Sequence, residues 1–400
     1  MGVLFNDVVI NKLSGGLGRR TPNQDMVSGL LFNTAAQPDA EIEKNRIYRL
    51  ASLKEAKDLG IDENYDKAGV SAYYQISQFF RMNPSGDLFI MRTEDDKYSS
   101  MIEKFGEDML VQANGAIRQL AVIANAGDAK ETLLAIDKAK TLTVNAFENF
   151  RPVEVILEGK GINPLKPSNI LGKSAENVSV LLAMDEELAS DPRYTNTAAV
   201  GVLLGAISKA KVSENIAWVE KFNLTGDGFR TAGFIGGAKV PEGQMKNLDV
   251  AKYIFTRTHT GLPGVYFNDS HTCIEPTSDF TFIEANRTIH KAARIARTAL
   301  LPKLNSPVLV DPDSGKLAPS VVKGFETICR SAVERMISNE EVSEIDVYVN
   351  PNQDILANSE LEIEMSIVPM GTARRIIVNL GFKNPFQLSG NSTAPAATTE

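Results

Sequence analysis

Cysteine and histidine are scarce in this chain of 400 residues. Cys273 and Cys329 are the only two cysteines, too few for a disulfide framework, and they point to a reducing compartment. Three histidines, His259, His271 and His290, are a thin supply for a metal centre or a general base. The close pair in His271-Thr272-Cys273 has no second pair at zinc-like spacing, so neither a metal nor a cofactor is expected. Basic charge is in deficit too: 42 Lys and Arg against 50 Asp and Glu leave a net charge of −8. That argues against general nucleic-acid binding, because neutralising phosphates requires a clustered basic surface. Long apolar runs are missing, the longest (198–207) being too short to span a bilayer, and the first residues lack a basic stretch followed by an apolar one. A soluble protein made in the cytoplasm is expected.

Catalytic motifs are absent or broken. There is no Gly-x-Ser-x-Gly elbow. Gly172-Lys173-Ser174 ends like a phosphate loop, but Pro167 occupies the position of its first glycine. Asp311-Pro312-Asp313-Ser314-Gly315 begins like a calcium loop whose final acid is replaced by Val322, so a turn is the better reading. Glu362 and Glu364 share one face of a strand and read as its solvated side. Gly15, Gly16 and Gly18 with Arg19 and Arg20 read as a flexible arm rather than a phosphate cradle, since no strand-to-helix context surrounds them. The chain is not expected to be an enzyme.

Strand and helix patterns alternate between residues 54 and 251: strands at 88–91, 116–124, 153–157 and 177–184, helices at 98–105, 129–149 and 195–211. This order predicts an α/β layer with at least partly parallel pairing. Gly201 and Gly205, four apart, permit a neighbouring element to approach closely. From 253 a third section begins. Its helix at 279–300 carries Phe282, Ala285, Ile289, Ala292, Ala293, Ala296 and Leu300 on one face, with Arg287, Lys291, Arg294 and Thr298 on another and His290 and Arg297 beside them. That basic stripe is either a solvated face or a docking surface. A helix at 318–337 and a strand at 345–349 follow.

The two ends carry strands without partners. Residues 361–368 alternate polar and apolar, Pro369-Met370-Gly371 break the run, and a second run at 374–380 follows at hairpin distance before Gly381-Phe382-Lys383-Asn384-Pro385-Phe386 and a Ser/Thr/Ala/Pro tail. At the other end, residues 3–12 alternate loosely and run into the Gly-rich basic stretch. Extended apolar segments of this kind suit pairing with another copy by strand addition.

The chain resembles the tail sheath proteins of contractile bacteriophages and related contractile injection systems, particularly the Mu-like branch. The resemblance rests on Gly264-Val265-Tyr266-Phe267-Asn268-Asp269, on residues 279–284 leading into Arg287-Thr288-Ile289-His290-Lys291-Ala292-Ala293-Arg294, and on Leu309-Val310-Asp311. It continues through Asp346-Val347-Tyr348-Val349-Asn350-Pro351 and the Gly-Phe-x-Asn-Pro-Phe ending, with residues 198–205 and 210–219 like the middle of a sheath subunit.

The resemblance implies a mixed α/β (α+β) multi-domain tail-sheath fold: an N-terminal arm and linker at 1–22, a middle or outer α/β region of one or two subdomains at 23–252, a C-terminal inner sheath domain at 253–375, an arm strand at 376–388 and a flexible tail at 389–400. Val3, Leu4, Phe5, Val8, Val9 and Ile10 match the N-terminal arm, and Ile376, Ile377, Val378, Leu380, Phe382 and Phe386 the C-terminal one. Gly15, Gly16, Gly18, Gly381 and Pro385 are then hinge candidates, and Arg287, Lys291, Arg294 and Arg297 candidates for contact with an inner tube. Implied partners are further copies in a helical polymer of stacked hexameric rings, the tail tube protein, and baseplate and terminator proteins. No direct nucleic acid and no stable membrane insertion are implied. The setting would be a virion tail or tail-like particle assembled in a bacterial cytoplasm. Two alternatives stay open, a soluble α/β enzyme with an inconspicuous pocket and a static shell protein.

Overall fold

A computed structural model describes residues 24–35, 37, 40–67, 71–194 and 196–382. The N-terminal arm residues, Gly15, Gly16, Gly18, Pro385 and Phe386 lie outside the described residues. The chain divides into two units, 1–370 and 371–400.

The centre of the first unit is β1 (Val27–Asn33), whose seven residues are all buried. Next come β2 (Ile47–Leu50), α1 (Leu53–Asp58), α2 (Ala72–Met82), β3 (Asp87–Thr93), α3 (Tyr98–Gln112) and β4 (Gln119–Ile123). They are followed by α4 (Ala129–Glu148), β5 (Glu154–Glu158) and β6 (Val178–Leu181). These strands form a six-stranded sheet in the order β2-β3-β1-β4-β5-β6, parallel throughout except for β2, which runs antiparallel at the edge. Successive side chains of a strand point to opposite faces, so continuous burial along β1, β4, β5 and β6 means that both faces are covered. Helices α3 and α4 pack on each other, as do α2 and the later α5 (Val200–Lys209).

The expected strand at 177–184 is two elements. Leu182 leaves the sheet register, donating to the Ile254 carbonyl (2.8 Å) and accepting from the Ile235 N–H (2.8 Å). After it, β7 (Ala183–Met184) pairs instead with β8 (Gly233–Phe234). Helix α6 (Glu242–Val250) and the hairpin β9 (Thr256–His259) and β10 (Leu262–Phe267) follow, turning at Gly261 with φ 83°. Tyr253, Phe255, Val265, Phe267 and Cys273 belong to the same core as the sheet, so the section expected to open at 253 begins inside that core.

A second core forms between α7 (Ile283–Leu300), α8 (Pro319–Ser338) and a two-stranded sheet of β11 (Val342–Tyr348) and, beyond α9 (Ile355–Asn358), β12 (Glu364–Pro369). Pro319 opens α8 at a position where a missing N–H costs nothing. The hairpin expected between 361–368 and 374–380 does not form. β12 pairs antiparallel with β11, Tyr348 opposite Glu364 and Val347 opposite Met365, because that register turns Ile345, Val347, Met365 and Ile367 onto one covered face.

Helix α5 approaches the backbone of α2 closely at Gly201 and Gly205. A Cβ on Gly201 would lie 2.1 Å from the Gln75 carbonyl oxygen, and one on Gly205 2.8 Å from that of Phe79. Gln75 Oε1 also accepts from the Gly201 N–H at 2.7 Å. Backbone cannot yield as a side-chain tip can, so Gly201→Ala is expected to cost about 1–3 kcal/mol, read by thermal unfolding, whereas Gly324→Ala, which meets nothing within 4 Å, should not destabilise.

Candidate assembly site

Open parallel sheets bind ligands at the carboxyl ends of the strands where the order reverses, here beside β1 and β4. That position is filled by polar groups that satisfy one another. Asn33 Nδ2 donates to Asn125 Oδ1 (2.8 Å) and the Asn125 N–H to Asn33 Oδ1 (2.7 Å). Glu158, fully buried at the end of β5, accepts from the N–H groups of Ala124 and Ala198 and pairs with Lys160 at 3.2 Å. The Lys160 ammonium donates onward to the Asn196 carbonyl. Elsewhere, Asp311 Oδ1 takes the N–H groups of Asp313 and Ser314 and so closes a turn, and Lys173 pairs with Asp137. Among the described residues no group of His, Cys, Asp and Glu is placed to hold a metal, and no helix is long and apolar enough to cross a membrane.

The basic stripe on α7 faces inward. Arg287 is buried and donates to the carbonyls of Asp25, Ala210 and Lys211. Lys291 bridges Asp25 Oδ2 (2.7 Å) and Glu341 Oε1 (2.6 Å), and Arg294 holds Asp25 Oδ1 (2.6 Å). Arg297 stacks over the Phe150 ring at 3.8 Å. The expectation of a free cationic face is therefore corrected: Arg287, Lys291 and Arg294 all bind Asp25, two residues before β1, and Lys291 also binds Glu341 in the turn entering β11. Burial would raise the Asp25 carboxyl, but hydrogen bonds and charge from Lys291 and Arg294 outweigh it and hold the group below its ordinary value. Asp25 and Arg287 stand 262 residues apart, and no local pattern in the sequence marks them as partners.

One turn along α7, His290 meets β5. Asn177 Nδ2 can only donate, so His290 Nε2 accepts from it (3.1 Å) and Nδ1–H faces Glu154 Oε1 (3.4 Å). Burial and the cations Arg294, Arg118 and Arg287 push the imidazole down to about 3, and burial pushes Glu154 up to about 8. The acid is then predominantly neutral at pH 7. Glu154 Oε2 and Asn286 Oδ1 are both buried without a hydrogen-bond partner among the described residues.

These contacts hold an exposed platform. On β11, Val342, Ile345 and Val347 face the α8 side while Ser343, Glu344, Asp346 and Tyr348 are exposed. Neither outer edge of the β11–β12 pair has a strand partner among the described residues. The second unit, described by itself, has neither helix nor strand between Gly371 and Phe382. Its apolar side chains stand in solvent: Ile376 is 80% exposed, Val378 77%, Leu380 95% and Phe382 110%. A Cβ on Gly381 would meet nothing within 4 Å.

This architecture is that of contractile sheath subunits. The helical sheath of the anti-feeding prophage in its contracted state matches with a TM-score of 0.63 at 15% identity, over 94% of this chain and 99% of that one. A chain of the anti-feeding prophage baseplate matches at 0.61 and 13%, over 94% and 99%. The sheath complex of an extracellular contractile injection system, PVC, in its contracted state matches at 0.61 and 10%, over 97% and 99%. The chain belongs to the DUF2586 family, matching its N-terminal domain over residues 5–271 and its C-terminal domain over 279–387. No curated protein matches the sequence.

Two outcomes follow from the α7 contacts. Asp25→Ala leaves Lys291 and Arg294 facing each other in a largely buried site and should lower unfolding stability by about 3 kcal/mol in denaturant titration, with Asp25→Asn intermediate. For Glu154 the native value near 8 lies above the ordinary 4.5, so its contribution is fully present below pH 4.5 and is lost as pH rises through 8. Glu154→Gln should remove that alkaline loss, leaving the variant with a higher melting temperature than the parent at pH 9.

Proposed function

We propose that this chain is the structural subunit of a contractile sheath, without enzymatic activity, and that it polymerises around an inner tube through strand addition by its arms. The observation that supports it most directly is the β11–β12 sheet, whose outer edges have no strand partner among the described residues, joined in sequence to an exposed apolar segment. A two-stranded sheet is marginal by itself, and added strands would satisfy its free N–H and C=O groups while covering Ile376, Ile377, Val378, Leu380 and Phe382. Residues 3–10 are the other arm in this reading.

Strand addition fixes backbone ladders and leaves folded bodies free to rotate about their connectors. Gly381 and Pro385 would bound one connector and Gly15, Gly16 and Gly18 form the other. The sheath would assemble in an extended arrangement and contract on triggering, driving the tube through a target envelope. Energy stored at assembly needs no nucleotide, in keeping with the filled polar crevice beside β1 and β4. The similarity to a baseplate chain supports baseplate association. Tube and terminator proteins complete the set of partners, in a virion tail or tail-like particle assembled in the host cytoplasm. Arg287, Lys291 and Arg294 serve within the subunit, so tube contact is not assigned to them.

Negative-stain microscopy of the full chain should show hollow striated tubes. Deletion of residues 376–400 should abolish them while leaving the circular-dichroism spectrum and melting temperature unchanged. Discrete particles from the full chain, with a ligand-dependent melting shift, would favour an enzyme. Polymers confined to a single lattice would favour a static shell.

A further inference from the structure

An apolar groove of about 660 Å3 opens between the end of α4 and the outer half of α7. Phe147 and Phe150 border it on one side and Leu300, Leu301 and Leu304 on the other. Phe147 is 48% exposed, Phe150 61%, Leu301 45% and Leu304 72%. Apolar side chains scattered singly over a surface need no explanation, but four large ones around one groove mark an interaction surface.

Three charged residues line the groove, Glu148, Arg294 and Arg297. Arg294 is committed to Asp25. Glu148 closes α4 and Arg297 stands on α7, and although they line the same groove neither makes an ion pair among the described residues. The Arg297 guanidinium lies over the Phe150 ring at 3.8 Å. Stacking occupies a guanidinium's face and leaves its in-plane N–H donors for a carboxylate.

An occupant must therefore be apolar, bring a carboxylate to Arg297 and bring a cation to Glu148. The exposed apolar segment of another copy fails the second condition, since residues 374–382 contain no carboxylate and are led by Arg374 and Arg375. The same groove on a second copy meets all three. A two-fold axis through it sets the Leu300–Leu304 ridge of each copy in the groove of the other and brings each Arg297 to the partner's Glu148, so that one ion pair is made twice.

We propose that the free subunit forms a two-fold dimer through this groove, with Arg297 of each copy paired to Glu148 of the other. A two-fold contact closes on itself and does not continue as a filament, so the dimer is a state of the unassembled subunit and stands independently of strand addition.

The test is sedimentation velocity on the soluble fraction of the full chain from roughly 1 to roughly 100 μM, the range in which a contact of modest size dissociates. A species of twice the monomer mass should grow with concentration. Arg297→Glu and Glu148→Arg each place like charges together twice in a homodimer and should each weaken it roughly tenfold or more. An equimolar mixture of these two variants restores both opposite-charge pairs and should dimerise again, as should the double variant. Leu304→Asp should abolish the dimer by a different route, and circular dichroism checks that every variant is folded. A single monomeric species over the whole range, or dimers unaffected by the single charge reversals, would overturn the proposal. Failure of the mixture to recover would overturn the two-fold pairing. Tubes are scored separately by microscopy, so the dimer and the sheath reading can fail independently.

Discussion

Asp25 is the residue on which the subunit's construction turns. Its carboxylate sits between Lys291 and Arg294, its carbonyl accepts from Arg287, and Lys291 continues to Glu341 at the mouth of β11. A single buried anion thus joins the start of the central strand, the long helix and the terminal two-stranded sheet. Two cations need that anion because burial without it would leave like charges together, and the anion needs them because burial alone would protonate it. Lys211 and Ser213 reinforce the junction by donating to the carbonyls of Asn339 and Glu340.

Such a junction fixes the direction as well as the position of the elements it joins. An apolar contact slides at little cost, whereas charge-assisted hydrogen bonds converging on one carboxylate hold direction as well as distance. The Glu154, His290 and Asn177 cluster adds a second fixed point one turn along α7, neutral rather than charged. The two contacts together set both the axial position and the rotation of α7 on the sheet. Whatever binds to β11 and β12 is thereby mechanically connected to the six-stranded layer.

The same economy explains why the α/β layer looks like an enzyme and lacks the usual opening. Asn33, Asn125, Glu158 and Lys160 occupy the strand ends where a ligand would sit, and each finds its partner within the protein. Among the described residues the surface carries instead a sheet edge without a strand partner, an exposed apolar segment and an apolar groove.

Local patterns in the sequence carried much of the fold. The helices at 98, 129, 279 and 318 and the strands at 88, 116, 153 and 345 were legible because periodic burial writes itself into residue order. Val27–Asn33 was not read, although it is the central strand, because a strand buried on both faces shows no alternation, and Gly29 within it weakens the β pattern further. The resemblance to sheaths lay in the order of motifs, and β12 was visible as an alternating run. Which strand β12 pairs with was decided by the shared apolar face of β11 under α8, not by sequence distance. The direction of the α7 stripe was likewise beyond the sequence. A row of arginine and lysine reads the same whether it meets water or a carboxylate 269 residues away, and only the folded chain brings Asp25 to it.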